Sequence, residues 1–378
     1  MSILRKIKNL PTKKEIWNLD HLKIIDEVQQ AYSVDTHIDR SFAQFSCLKK
    51  SYKHKTSAIL ADLIVVFPLI ITILFFLLVV LFNTLLRKKP LKLKATIAVL
   101  PSIDVLPSRV TVDKNFYFVT KKGLSSFLDL EDLFFIKKHL FKKITHPYFF
   151  LKCIYKLYKY SGLTKSECDN IYISNEYCFT SSILTKYLNE NGIKVTNCMH
   201  GEKLLNCRDA FCTYDHFIIW DNHYQILFDK MGCKANFSID TCEAIDLILT
   251  PDYSEDTSVI YYLQGNESSR DLANIKRNLE QLKNQYDTDL ILVKEHPRFK
   301  SPYLGKYFSE ENVFHGPLIE SLKKSIVVSG SYTTILFQVY KSRDTLGFPK
   351  IHIKKTDSLE KLEYIMLDKA DGFFNEML

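Results

Sequence analysis

The sequence predicts an α/β protein of two doubly wound parallel-sheet domains, preceded by an apolar, membrane-associated helix or re-entrant hairpin. Three observations carry this reading. From residue 95 onward, short apolar runs alternate with segments whose apolar residues recur at helical spacing. A polar, turn-rich stretch from Thr250-Pro251-Asp252 to Thr257 interrupts the alternation once, after which it resumes. From Leu63 to Phe82 only Pro68 and Thr72 are not strongly apolar, a run long enough for a bilayer core.

Four regions follow: residues 1–56, amphipathic and basic, expected near a membrane surface; 57–90, the apolar segment; 91–250, the first domain; and 251–378, the second. Asp20–Tyr32 reads as an amphipathic helix. The apolar segment is basic on both sides, with Lys49, Lys50, Lys53 and Lys55 before it and Arg87, Lys88, Lys89, Lys92 and Lys94 after it. A simple span biases its charge to one side, so the balance favours a segment that dips in and turns back near Pro68.

In the first domain, Ala95–Leu100 and Phe116–Thr120 read as strands, Glu131–Lys143 and Tyr148–Tyr160 as helices. Ile171–Ser174, Ser181–Asn191 and Lys194–Met199 form a strand–helix–strand unit, with Gly192 as helix stop. His216–Trp220 is a further strand and Tyr224–Met231 a helix ending at Gly232. In the second domain, Val259–Leu263 is a strand and Arg270–Tyr286 a helix. Ile291–Lys294 is a strand halted by Pro297, which has no N–H for a sheet ladder. Pro317–Ser325 is a short helix, Ile326–Val328 a strand, Tyr332–Ser342 a helix and Thr345–Phe348 a closing strand.

The net charge of +8 over 378 residues is spread along the chain. Without a zinc-finger or RNP signature it points to anionic lipid and away from nucleic acid. The nine cysteines contain no CxxC pair and read as reduced, mostly buried thiols of a cytosolic domain. The polar opening excludes a cleavable signal peptide, and the absent glycine-rich fingerprint disfavours hydride chemistry. No His/Cys set has metal-ligand spacing. Asp287-Thr288-Asp289 precedes a strand and reads as a helix stop, away from the edge where α/β sheets bind ligands.

Chemistry is expected at strand ends. His200, in Met199-His200-Gly201-Glu202, stands at the mouth of one strand, where an imidazole suits a general base; a surface His-Gly turn is the bland alternative. His296 stands at another, flanked by Lys294 and Arg298 and suited to a phosphate. Ser329-Gly330-Ser331, followed by Thr333, reads as a helix start that caps the helix or binds phosphate. Gln264, Gly265 and Asn266 form a fourth strand-to-helix junction that could close over the same nucleotide.

In this order, His200-Gly201, the His216–Gly232 unit, His296-Pro297 and Ser329-Gly330-Ser331 resemble the GT-B-fold transferases of bacterial surface polysaccharides. These are the sialyltransferase and polysialyltransferase group, the capsular Kdo transferases and the CDP-glycerol glycerophosphotransferases. The resemblance covers roughly residues 95–350 and implies two facing Rossmann-like domains. It implies that His296, Ser329 and Ser331 bind the phosphates of a cytidine nucleotide donor, and that His200 is the catalytic base. The acidic pair before a glycine used by the sialyltransferases has no clear copy here, and the resemblance offers Glu176, Glu202 and Glu267 as substitutes for it as base or acceptor contact. The expected activity is metal-independent glycosyl transfer, without a cofactor, from a nucleotide sugar (CMP-linked, of sialic acid or Kdo type) to a lipid-linked glycan. It would serve capsule, O-antigen or lipooligosaccharide synthesis on the cytoplasmic face of a bacterial inner membrane. A CDP-glycerol-type glycerophosphotransferase and a non-catalytic assembly scaffold are the alternatives.

Overall fold

The computed structural model describes residues 17, 19–51, 55–85, 96–100, 103–107, 110, 116–119, 126–165, 168–243, 245, 258–265, 267–297, 299–346 and 349–375. The chain divides into two compact units. One runs to His200 and includes Leu205–Thr241; the other holds Gly201–Leu204 and everything from Cys242.

The first unit opens with α1 (His21–Ala31), capped by Asp20, and α2 (His37–Lys50), capped by Thr36. Within the region expected to lie near a membrane surface, α2 is a core helix, with Arg40 to Cys47 all buried. Its polar side chains are consumed by distant backbone and hydroxyl groups. The Arg40 guanidinium donates to the Thr213 hydroxyl at 2.6 Å and to the Gly232 carbonyl, and the Ser41 hydroxyl accepts from the Ile183 amide at 3.0 Å. These bonds are what makes the burial of the guanidinium and the hydroxyl tolerable.

Next comes α3 (Lys55–Leu85), a continuous 31-residue helix with Pro68 inside it. The chain does not turn back at Pro68, so the re-entrant hairpin is corrected to a single helix. After β1 (Thr96–Val99) and β2 (Phe116–Phe118), α4 (Leu130–Phe135) runs into an irregular turn, and α5 (Pro147–Tyr160) follows. The unit then alternates through β3 (Asn170–Ile173), α6 (Ser181–Glu190), β4 (Lys194–Cys198), β5 (Thr213–Ile219), α7 (Asn222–Lys230) and β6 (Lys234–Ile239). The sheet is parallel, in the order β2-β1-β3-β4-β5-β6. Its central strands bury Ile97, Val99, Ile171, Ile173, Val195 and Phe217 completely, as a sheet covered on both faces requires. Residues 234–239 were not expected as a strand; an edge position leaves them half exposed, so they lack a buried apolar run.

The second unit contains β7 (Ser258–Tyr262), α8 (Ser269–Gln285), β8 (Leu290–Lys294), α9 (Leu318–Lys323), β9 (Ser325–Gly330), α10 (Thr334–Leu346), β10 (Lys350–Lys355) and β11 (Gly372–Asn375). The sheet is again parallel, ordered β11-β10-β9-β7-β8. Leu272, Ile275, Leu279 and Leu282 line one face of α8 against Val259, Tyr261 and Leu263, the spacing of a helix that buries one stripe. Asp287 takes φ +50 just past α8 and before β8, the left-handed residue of a helix stop. Thr345–Phe348, expected as a strand, begins inside α10. The closing strands are β10 and β11, and Phe348 lies outside the described residues.

Both sheets reverse winding direction once. In the second, β7 connects to β8 on one side and the chain then returns to place β9 on the other. The ends of β7 and β9 therefore flank a switch point, where open α/β sheets hold ligands.

Candidate functional site

In the first unit, strand register alone brings two of the expected residues together. Ile173 on β3 pairs with Asn197 on β4, and Glu176 and His200 each lie three residues beyond that pair. Glu176 is fully buried. Its Oε1 stands 3.1 Å from Nδ1 of His200, and its Oε2 accepts from the Asn197 side-chain amide at 3.3 Å. The Ser174 hydroxyl reaches the same Nδ1. The loop that carries Glu176 is itself pinned. The Asn175 amide donates to Asn197 Oδ1 at 2.9 Å, and the Gln44 amide donates to the Glu176 and Arg208 carbonyls at 2.9 and 2.7 Å.

This is the arrangement of an oriented base. The Ser174 hydroxyl engages Nδ1 and the buried carboxylate lies beside it at ion-pair distance, so proton exchange with a bound molecule falls to Nε2, and the carboxylate stabilises the imidazolium that forms. Gly201 follows with φ +67, a left-handed conformation that a side chain disfavours. Tyr177 lies 5.6 Å from the His200 ring, with the Arg208 guanidinium 5.5 Å over its own ring.

The other two carboxylates are corrected. Glu202 is buried in the second unit, where burial pushes its carboxyl well above the usual range, with the nearby Tyr364 hydroxyl acting the other way. A carboxyl so enclosed is poorly placed to reach an acceptor hydroxyl. Glu267 serves its own loop, accepting from the Gln264 amide and, at 2.9 Å, from the Gly265 amide.

In the second unit, Tyr262 is the register partner of both Lys294 and Gly330, so Gln264, His296 and Tyr332 leave their strands at one level. Contacts join the three ends. The Gln264 side-chain amide donates to the Tyr332 carbonyl. The His296 ring stacks on Phe299 at 4.8 Å, and Phe299 lies against Gly265. Gly265 has φ +80, and a Cβ there would sit 2.3 Å from the Phe299 carbonyl oxygen, so only glycine fits.

Not every expected phosphate ligand reaches this edge. Ser329 does not start a helix; it lies inside β9, fully buried, and its hydroxyl donates to the Ile260 carbonyl at 2.8 Å. Ser329→Ala should cost about 1 kcal/mol of stability in denaturant melts and leave the KM for donor unchanged; a raised KM at unchanged stability would return the hydroxyl to the site. The helix begins at Thr334, leaving Ser331 and Thr333 in the turn before it. Thr333 is held by Tyr364, whose hydroxyl accepts from the Thr333 amide and donates to its carbonyl, both at 3.4 Å. The Lys294 ammonium donates to the Gly316 carbonyl and lies 5.0 Å over Phe314, and burial lowers its pKa. Arg298 and Asn266 lie outside the described residues.

Sequence reasoning missed Ser174, Asn197, Gln44, Tyr332 and Tyr364. The first two could have been found, because they end neighbouring strands of one strand–helix–strand unit. Among the described residues no group of three or more His, Cys, Asp or Glu could hold a metal ion.

No protein-family model matches the chain, and no curated protein matches it. Among solved structures it is similar to S. aureus MnaA with UDP, at 11% identity and a TM-score of 0.43, over 71% of this chain and 81% of that one. It is also similar to the wall teichoic acid polymerase TagF with CDPG, at 12% identity and a TM-score of 0.37, over 77% of this chain and 80% of that one. Likeness at this level bears on neither activity nor ligand.

Proposed function

We propose that the chain is a GT-B-type glycosyltransferase of surface-polysaccharide synthesis, attached to the cytoplasmic face of a bacterial inner membrane. It would use a nucleotide-activated sugar, cytidine-linked, and a lipid-linked glycan acceptor, without a metal. The observation that carries this is the His200–Glu176 pair, an imidazole oriented by a buried carboxylate at the end of parallel strands. His200 takes the proton of an acceptor hydroxyl, the oxygen attacks the anomeric carbon, and the bond from that carbon to the donor phosphate breaks with its electron pair leaving on the phosphate. Charge appearing on the phosphate falls to His296 and to the turns at Gln264–Gly265 and Ser331–Thr333, with Lys294 nearby as fixed positive charge.

One observation favours a second reading. Glu202 is enclosed within the second unit and Glu267 is engaged in its own loop, which leaves the histidine, with Glu176 behind it, as base. That matches the histidine-based CDP-glycerol transferases, in which the same residues would break a phosphoanhydride.

The test is donor turnover by detergent-solubilised protein against CMP-, CDP-, UDP- and GDP-linked donors, with His296→Ala in parallel. CMP release from a CMP-sugar that drops at least about 10-fold in the variant supports the first reading. CMP release from CDP-glycerol alone supports the second. Turnover confined to UDP or GDP donors removes the cytidine assignment, and binding of no donor removes the transferase.

A further inference from the structure

We propose that α3 lies in the plane of the membrane, docked by one face on α5 and inserted by the other into one leaflet of an anionic bilayer, with neither end crossing. This deepens the membrane-attached part of the reading above and rests on that part alone.

The docked face is explicit. Near the start of α3, Asp62 pairs with Lys49 at 3.1 Å and accepts from the Tyr148 amide at 3.2 Å. Further along, Phe76 packs on Tyr158, ring centroids 4.9 Å apart. Near its end the Asn83 amide donates to the Leu128 carbonyl at 2.9 Å. Leu69, Phe76 and Val80 are buried on this side. The two helices therefore run side by side in the same direction, from Asp62 and Tyr148 to Phe76 and Tyr158.

The opposite face carries Leu63, Phe67, Leu74, Leu78, Leu81 and Leu85, each more than half exposed. At about 100° per residue these six fall on one stripe, turned away from Leu69, Phe76 and Val80. Only 17% of the apolar window is buried, so this is not the core helix of a soluble domain. An isolated interfacial helix gives one polar side to water; here that side is given to α5.

Charge selects the occupant and the orientation. Lys53 and Lys55 precede the apolar run, five basic residues follow it between 87 and 94, and no carboxylate stands among residues 86–95. Both ends thus suit the headgroups of the same anionic leaflet. A perpendicular helix would carry α5 with it and draw Lys152, Lys156 and Lys159 towards hydrocarbon, where charged groups are strongly disfavoured.

The test uses full-length protein freed of detergent. It should float with phosphatidylcholine/phosphatidylglycerol vesicles and not with phosphatidylcholine alone, and Phe67→Glu/Leu74→Glu/Leu78→Glu should lower the bound fraction at least about 10-fold, with far-UV circular dichroism reporting the fold. Leu63→Trp, Leu74→Trp and Leu85→Trp, read above the wild-type baseline, should be quenched by brominated lipid at one shallow depth. A depth maximum at residue 74 with shallow ends would show a span and overturn the in-plane orientation while keeping attachment. Failure to float with either vesicle, or a lipid-free dimer dissolved by the triple variant, would overturn attachment itself.

Discussion

Turnover by His200→Ala falls about 10²–10⁴-fold, the usual worth of a positioned general base, while the donor KM stays within about twofold, since uniform binding is untouched. The loss is partly restored by added imidazole. Glu176→Gln distinguishes an oriented base from a surface histidine. The amide fills the same buried space, but its single oxygen cannot serve both the Nδ1 side and the Asn197 side-chain amide, and it no longer compensates the positive ring formed when the proton arrives. We expect kcat to drop about 10–100-fold with KM nearly unchanged and a stability loss of about 1–3 kcal/mol from the amide donor turned on a neighbouring donor. Wild-type kcat in Glu176→Gln would reduce the 3.1 Å approach of Oε1 to a structural contact.

Gly265→Ala is expected to have the largest effect in the second unit. Its new methyl would lie 2.3 Å from the Phe299 carbonyl oxygen and 2.4 Å from Phe299 Cβ, on a backbone already at φ +80. Backbone must therefore move. A loss of about 2–4 kcal/mol of stability follows, measurable by urea titration. The displaced loop also loosens the Gln264–Tyr332 bond and the support behind His296, so the donor KM rises at least about 10-fold. An unchanged KM in a destabilised protein would separate this loop from donor binding.

The strand ends that carry His200 and His296 were legible because an apolar run followed by Gly or Pro leaves little else to read. Gln44 was not: its partners are the carbonyls of Glu176 and Arg208, 132 and 164 residues away. The same distance effect disguised α2, whose Arg40, Ser41 and Gln44 look like a wet surface until their partners are known. Ser329 misled for a local reason, since a small hydroxyl residue suits both the last turn of a buried strand and the first turn of a helix. β6 and β11 escaped because edge strands are only partly covered.

The order of synthesis gives α3 a problem of timing. It is complete at Leu85, but the helix it docks against ends at Tyr160. At about 5–20 residues per second, translation leaves the helix without that surface for several seconds. A helix so apolar, waiting in water, would recruit other chains. A nearby bilayer gives it somewhere to rest, so α3 would reach the lipid before the domain that will lie upon it has folded.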